Sequence, residues 1–299
     1  MGLTMTPQKF WELAGSHQTS TYGFDFATFM RAYENIAPSG VMYGALGSGA
    51  WDGLGIRVVE LQCHRDAIPA GAGEIMMYAQ TIAGFAALPT AGDALVLIST
   101  SPNDDLGNTG AEYVRVEYID GQGAEQHVDV EMNGAANVPT GITIPNPVGS
   151  FAVNGLKVVQ AGAVSTNVGD ITLEDVTNTR VYEAIQAGMG RSQTCRYHVP
   201  VGKRAFVFRL ECAAEVEDVV YGLFAHRQYD YVANERILCR EAYVALPESG
   251  RWEHIFSDPV SVPPTVAGEA PSSVSLLCLS VGGASEGTAS VFMAVCDEE

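Results

Sequence analysis

Three side chains in one short segment have the chemical types that bind metals or transfer protons. His127, Asp129 and Glu131 alternate with two valines, so a β-strand would present all three on one face. An imidazole beside two carboxylates can hold a metal ion or act as an acid–base group. The alternative is a solvated ladder of charges that pair with a neighbouring strand, and the hairpin described below favours this ladder.

A second candidate is the segment 103–108, NDDLGN, which offers several oxygen ligands around a glycine. It lacks the full EF-hand spacing and a closing glutamate, so a polar loop is favoured over a calcium site. Phosphate-loop and dinucleotide fingerprints are absent, because the paired glycines at 121–123 and 71–73 lack a third glycine and a following helix. We therefore predict no catalytic residue, no metal and no cofactor, and hence a protein that is not an enzyme.

The most aromatic stretch of the chain is the segment 221–231, YGLFAHRQYDY. Tyr221, Arg227, Tyr229 and Tyr231 are the candidate surface for a partner or a glycan. Alternation places Tyr221 on the same side as the leucine and alanine that follow it. A strand buried on both sides, or a subunit contact, explains the pattern equally well.

The clearest structural element is a β-hairpin over residues 112–131. Apolar and polar residues alternate on both sides of the turn, so one face is buried and the other is wet. A three-residue loop, Gly121-Gln122-Gly123, places Val116 opposite Val128 and Val114 opposite Val130. The same register places Arg115 across from Asp129 and Glu117 across from His127, on the wet face.

The first 38 residues differ from the rest of the chain, because they predict two short helices. These helices cannot bury their apolar side chains by themselves. They either dock on the core of the same chain or form an arm that reaches a neighbouring subunit. The candidate contact residues to a capsid or to another subunit are Phe10, Trp11, Phe26, Phe29, Met30 and Tyr33.

From Ile56 onward the pattern is one short strand after another, with turn signals between them. This is typical of an all-β protein built as one or two antiparallel β-sandwiches of jelly-roll-like form. We predict an N-terminal arm and glycine-rich linker (1–55), a first sandwich (56–190) and a second sandwich (191–299). Outside the hairpin, the predicted strands are 56–63, 74–80, 93–100, 141–144, 154–160, 170–173, 180–185, 193–199, 204–212, 218–227, 237–245, 253–260, 274–281 and 289–295.

Charge and cysteine content narrow the function classes. The 299 residues carry 16 Lys and Arg against 35 Asp and Glu, a formal net charge of −19. A chain this acidic is not expected to bind nucleic acid or an anionic membrane through its general surface. No apolar run reaches the roughly 18 residues of a membrane helix.

The 6 cysteines form no CxxC pair, which indicates buried free thiols in a protein folded in a reducing cytoplasm, with disulfides as the alternative.

Three strings resemble virion structural proteins of marine and aquatic tailed bacteriophages. They are TGAEYVRVEYID at 109–120, TNVGDITL at 166–173 and YHVPVGKRAF at 197–206. Their order and spacing agree with the family, and the resemblance covers residues 93–212. The chain departs from the family pattern in its repeated cysteines and in the segment 185–190.

This resemblance implies a structural part of a virion without catalytic activity. A net charge of −19 would repel packaged DNA, so the outside of the head suits the chain better than its interior. We therefore expect a capsid decoration (cement) protein, made in the bacterial host cytoplasm, that sits on the outer head surface. Its expected partners are itself, as a homotrimer, and the major capsid protein, whose neighbouring subunits it would clamp, with no nucleic acid and no membrane.

Other functions stay open at this point. Within the virion, the chain could be a head or tail fibre or a component of the head–tail connector. A carbohydrate-binding β-sandwich module would use the aromatic segment as its binding surface. A hydrolase would need a serine, a histidine and an acid that meet only in the folded chain.

Overall fold

The computed structural model describes residues 56–68, 75–76, 89–214, 219–230, 235–246, 250–280 and 285–297. Within these ranges the chain is all-β, as predicted, and no helix in them is long and apolar enough to cross a membrane. The two predicted N-terminal helices lie outside the described residues. The strands are β1 (Ile56–Ile68), β2 (Ile75–Met76), β3 (Ala94–Ser99), β4 (Ala111–Ile119), β5 (Glu125–Glu131), β6 (Val138–Thr143), β7 (Ala152–Ala161), β8 (Ile171–Asp175), β9 (Val181–Ile185), β10 (Arg196–His198), β11 (Lys203–Ala214), β12 (Val219–Asp230), β13 (Glu235–Leu246), β14 (Gly250–Val262), β15 (Ser273–Ser280) and β16 (Ser285–Asp297).

The larger unit is a jelly roll of two antiparallel sheets. Sheet I has the strand order β1-β16-β11-β14, and sheet II has the order β10-β15-β12-β13. Strand β2 also pairs with β15, so β2 and β10 share one position at the edge of sheet II. With β2 and β10 counted as one, the two sheets contain eight strand positions, which we number in chain order. Sheet I then has the order 1-8-3-6 and sheet II the order 2-7-4-5, which is jelly-roll topology. Pro259 lies on the edge strand β14, where a residue without an N–H group is tolerated.

The smaller unit is a β-sandwich inserted into the jelly roll between β2 and β10. Sheet III has the order β6-β3-β8-β9, and sheet IV has the order β5-β4-β7. Its core contains Leu95 and Leu97 from sheet III against Val114, Val116 and other apolar side chains from sheet IV. A single apolar core joins the two sheets of each unit, as expected for packed β-layers.

The predicted division into sandwiches at 56–190 and 191–299 is wrong at its N-terminal side. Strand β1 pairs along its length with β16, from Ile56 opposite Cys296 to Ile68 opposite Ser285. It therefore closes the jelly roll rather than opening the smaller sandwich. The last strand of the smaller sandwich is β9, and the chain returns to the jelly roll between residues 185 and 196. Strand pairing over more than two hundred residues leaves no local signal, so sequence order alone suggested two consecutive sandwiches.

The expectation of free thiols is also wrong for one pair of cysteines. Cys63 on β1 and Cys195 beside β10 form a disulfide with their Cα atoms 5.5 Å apart. Both are buried in the jelly-roll core. Cys212 and Cys278 are buried in the same core and are not part of this disulfide.

Candidate functional site

The predicted hairpin forms with the predicted register. Val114 lies opposite Val130, Val116 opposite Val128, and Glu117 opposite His127. The loop is Gly121-Gln122-Gly123, and Gly123 has a φ of 89°, the left-handed conformation that this turn requires. The wet and buried faces are therefore those expected from the alternation.

The wet face of the hairpin is a charge ladder rather than a metal or acid–base site. The Arg115 guanidinium donates to both carboxylate oxygens of Asp129, over 2.7 and 2.9 Å. This hydrogen bonding holds the pKa of Asp129 below its ordinary value. The Tyr113 hydroxyl donates to Glu131 over 2.6 Å. Across the described ranges, no three His, Cys, Asp or Glu side chains are grouped so that they could hold a metal ion.

The candidate calcium loop is organised by one buried carboxylate. Asp104 is fully buried and accepts hydrogen bonds from the Ser99 hydroxyl and from the backbone N–H groups of Ala111, Val168 and Gly169, over 2.6 to 2.8 Å. Both of its carboxylate oxygens are therefore engaged by donors from three segments. The loop is a structural junction, in agreement with the favoured interpretation as a polar loop.

A second buried polar side chain, Asn167, continues this junction. Its amide nitrogen donates to the Gly169 and Gln186 carbonyls, and its amide oxygen accepts from the Gly190 N–H. The Asp170 carboxylate accepts from the Ala187 N–H over 2.8 Å. The segment TNVGD thus holds the chain that leaves the smaller sandwich after β9.

The three strings that carry the family resemblance are connected in the folded chain through two residues that lie outside them, Asp104 and Gly123. The first and second strings meet at Asp104, as described above. The turn that follows the first string meets the third string where the Val201 N–H donates to the Gly123 carbonyl over 2.9 Å. A Cβ atom on Gly123 would lie 2.0 Å from a methyl carbon of Val201, so this approach requires glycine. The strings are three parts of one connected structure.

Polar contacts join the two sandwiches along one side. Arg57 on β1 forms an ion pair with Glu125 and donates to the Tyr197 hydroxyl over 2.7 Å. The Asn154 side chain exchanges two hydrogen bonds, of 3.0 and 2.8 Å, with the backbone of His198. The smaller sandwich is therefore held against the jelly roll by side chains as well as by its two chain connections.

A cleft with a volume of about 370 Å³ lies between the two sandwiches. One wall is the edge of β1, and the other is formed by β4, β7 and the chain after β9. Clefts of this size at the boundary of two units are the usual place for a ligand. Its basic side chains are Arg57, Lys157 and Arg191, and its carboxylates are Glu60, Glu117 and Glu125.

Sequence reasoning did not find this cleft. Its three basic residues come from segments separated by up to 134 positions, since Arg57 and Arg191 lie in different parts of the chain. The one available signal was the scarcity of basic residues, 16 in the whole chain, of which the cleft gathers three. No local motif links them.

The predicted aromatic surface is wrong at Tyr221. This side chain is fully buried in the jelly-roll core, and its hydroxyl donates to the Ala213 carbonyl over 2.6 Å. Burial raises the pKa of its hydroxyl above the ordinary value. The reason is topological, because β12 lies between β15 and β13 and turns this face toward sheet I. Arg227 and Tyr229 lie on β12.

Other predicted contact residues stay predictions. Tyr231 lies outside the described residues. The same holds for the candidate capsid or subunit contacts, which are Phe10, Trp11, Phe26, Phe29, Met30 and Tyr33.

No protein-family model matches the chain. No curated protein matches its sequence. Solved structures that are similar include the naturally occurring empty particle of cowpea mosaic virus (6% identity, 71% of this chain and 89% of that chain, TM-score 0.21). Broad bean stain virus follows with 9% identity, coverage of 74% and 95%, and a TM-score of 0.22. The Gx strain of infectious bursal disease virus has 11% identity, coverage of 82% and 76%, and a TM-score of 0.21. Chains that share a fold give higher TM-scores than these, and no functional argument rests on them.

Proposed function

We propose that this chain is a non-enzymatic structural protein of a virion. The observation that carries the proposal is a contact network. The first and second strings both donate to Asp104, and the third donates to Gly123, in the turn that follows the first string. Their ordered resemblance to phage virion proteins therefore concerns one connected part of the fold. Two-sheet jelly rolls also build viral capsid domains, although lectins and cupins use the same architecture, so the fold alone does not decide the function.

Within the virion, we assign the chain to the outer surface of a tailed-phage head, as a decoration (cement) protein that clamps neighbouring capsid subunits. The formal net charge of −19 supports an outside position, because a like-charged lining would repel the packaged DNA. The homotrimer and the major capsid protein are the proposed partners. The clamp would use the N-terminal arm and its aromatic residues, ahead of the first jelly-roll strand.

Deletion of residues 1–38 tests this role. The β-body is expected to stay folded, with a cooperative thermal unfolding transition, while association with phage heads stripped of the protein is lost in co-sedimentation. Leu106→Ser is the matched surface control, because Leu106 is 50% exposed on the smaller sandwich and should leave association intact. Truncated protein that still coats the heads at full occupancy would show that the arm is not the clamp.

Copy number separates the decoration role from the other virion roles. Quantitative mass spectrometry of purified particles should find hundreds of copies of a decoration protein. A dozen copies or fewer would instead place the chain at a vertex, a fibre or the head–tail connector. A panel of esterase, protease and glycosidase substrates tests the non-enzymatic assignment, and clear turnover of any of them would overturn it.

A further inference from the structure

A row of like charges runs across sheet IV and ends in the cleft, which Lys157 and Arg191 line. Lys157 on β7 lies opposite Arg115 on β4, and on its other side it pairs with Arg191 through an isolated antiparallel bridge. The flanking hydrogen bonds run from Val158 N–H to Gly190 and from Ser192 N–H to Leu156. Lys157 and Arg191 are therefore a non-hydrogen-bonded pair, the arrangement in which opposite side chains come closest.

Only one of these three cations has a carboxylate partner among the described residues. Arg115 is bound to Asp129, whereas Lys157 and Arg191 form no ion pair with any residue that the structure describes. Like charges directly opposite each other destabilise a sheet. In a chain with 35 acidic residues against 16 basic ones, acidic partners are abundant elsewhere. An anionic ligand would offset the repulsion that this pair creates.

Acidic and amide side chains on both walls restrict the kind of anion. Glu60 and Gln62 of β1 and Glu117 of β4 also line the cleft, and their oxygen atoms can accept hydrogen bonds from neutral donors such as hydroxyl groups. One Glu60 oxygen already accepts from the Gln62 side-chain amide. The same carboxylates repel a polyphosphate or a nucleic acid. A sugar unit that carries one carboxylate among several hydroxyl groups, alone or as part of an oligosaccharide, matches both the basic pair and these acceptors.

We propose that the inter-sandwich cleft binds an acidic sugar of the uronic acid class. The sugar carboxylate lies between Lys157 and Arg191, where the arginine can bind both carboxylate oxygens. The sugar hydroxyl groups donate to Glu60 and Glu117. This inference does not depend on the virion role, because a uronate-binding cleft could serve any surface-exposed protein.

Gly155 offers a way to block the cleft without changing its charge. It lies opposite Glu117 on sheet IV and lines the cleft. A Cβ atom added there would meet only the Ser192 hydroxyl, at the ordinary contact distance of 3.4 Å. Gly155→Val therefore fills the space while the strand keeps its pairing.

The test is isothermal titration of the full chain with trigalacturonate, and with the same trisaccharide after its carboxyl groups are reduced to alcohols. Trigalacturonate is expected to bind, and the reduced sugar is not. Lys157→Gln and Arg191→Gln should each weaken trigalacturonate binding by about tenfold or more, as loss of a charged hydrogen bond does. Gly155→Val should abolish it.

Arg180→Gln is the matched control, because Arg180 is an exposed arginine that pairs with Asp93 rather than lining the cleft. It should bind trigalacturonate as the wild type does, and melting curves verify that every variant is folded. The proposal is overturned if trigalacturonate does not bind, if the reduced sugar binds equally well, or if Arg180→Gln weakens binding as much as the cleft variants. A triglutamate peptide that binds more tightly than trigalacturonate would assign the cleft to an acidic protein segment instead.

Discussion

Cys63 is bonded to Cys195 across 132 residues of sequence, and the loop that this disulfide closes contains the whole smaller sandwich. The Cys195 carbonyl also accepts a hydrogen bond from the Leu276 N–H on β15. The bond therefore links β1 of sheet I to the edge of sheet II, at the point where the chain returns from the insertion. The first strand of the jelly roll and the chain that returns from the insertion are tied together inside the jelly-roll core.

The double variant Cys63→Ser/Cys195→Ser should lower the free energy of unfolding by about 2–5 kcal/mol, because a long loop is no longer constrained in the unfolded chain. Guanidinium denaturation under oxidising conditions measures this. Wild-type protein treated with a reductant is the control and should match the variant. If the reductant leaves the denaturation midpoint of the wild type unchanged, the disulfide does not contribute as described.

Asp104→Ala should destabilise the smaller sandwich by about 3 kcal/mol or more, because it leaves buried N–H groups of Val168, Gly169 and Ala111 without an acceptor. Asp105→Ala, one residue away and only half-buried, should cost about 1 kcal/mol or less. Urea denaturation compares the two. Equal losses would mean that the junction does not depend on the buried carboxylate.

Calcium should not stabilise the protein through this loop. Both oxygens of Asp104 already accept protein hydrogen bonds, so a cation would have to displace them. The melting temperature is expected to be the same in millimolar calcium and in EDTA. A rise with calcium that Asp104→Asn abolishes would restore the metal site.

Gly123→Ala should destabilise the protein more than Gly107→Ala does. Both glycines have positive φ values, of 89° and 78°, so both substitutions strain the backbone. Only Gly123 approaches a neighbour, Val201, since nothing lies within 4 Å of a Cβ atom on Gly107. The difference is expected to be about 1–3 kcal/mol, the cost of overpacking. Equal melting temperatures for the two variants would contradict the close approach of hairpin and jelly roll.

Because of Glu183, the free energy of unfolding should fall as the pH rises above the ordinary pKa of a glutamate side chain. Burial raises the pKa of this carboxyl, although Arg196 and the Thr194 hydroxyl partly oppose the change. The folded chain therefore keeps a proton at pH values where the unfolded chain has lost it, so stability falls as the pH approaches the raised pKa. Glu183→Gln should flatten this slope in denaturation curves recorded over a pH series. Parallel curves for variant and wild type would exclude the effect.

The local patterns of this chain were sufficient to predict its strands and one full register. The hairpin illustrates why, because alternation of Val114 and Val116 with charged residues admits one pairing that keeps the valines dry. The same reasoning placed Tyr221 correctly on one side with its apolar neighbours. It could not tell whether that side faced solvent or core, since both faces of β12 are rich in apolar residues.

Sequence alone determined the all-β class, the strand positions, the charge ladder of the hairpin and the three strings that resemble phage virion proteins. Each of these depends on side-chain alternation or turn chemistry within a few residues. Tertiary structure decided the insertion of one sandwich into another, the Cys63–Cys195 bond and the cleft that brings Lys157 and Arg191 beside β1. These features depend on which distant strands close a sheet, and closure is a property of the whole chain that no short segment encodes.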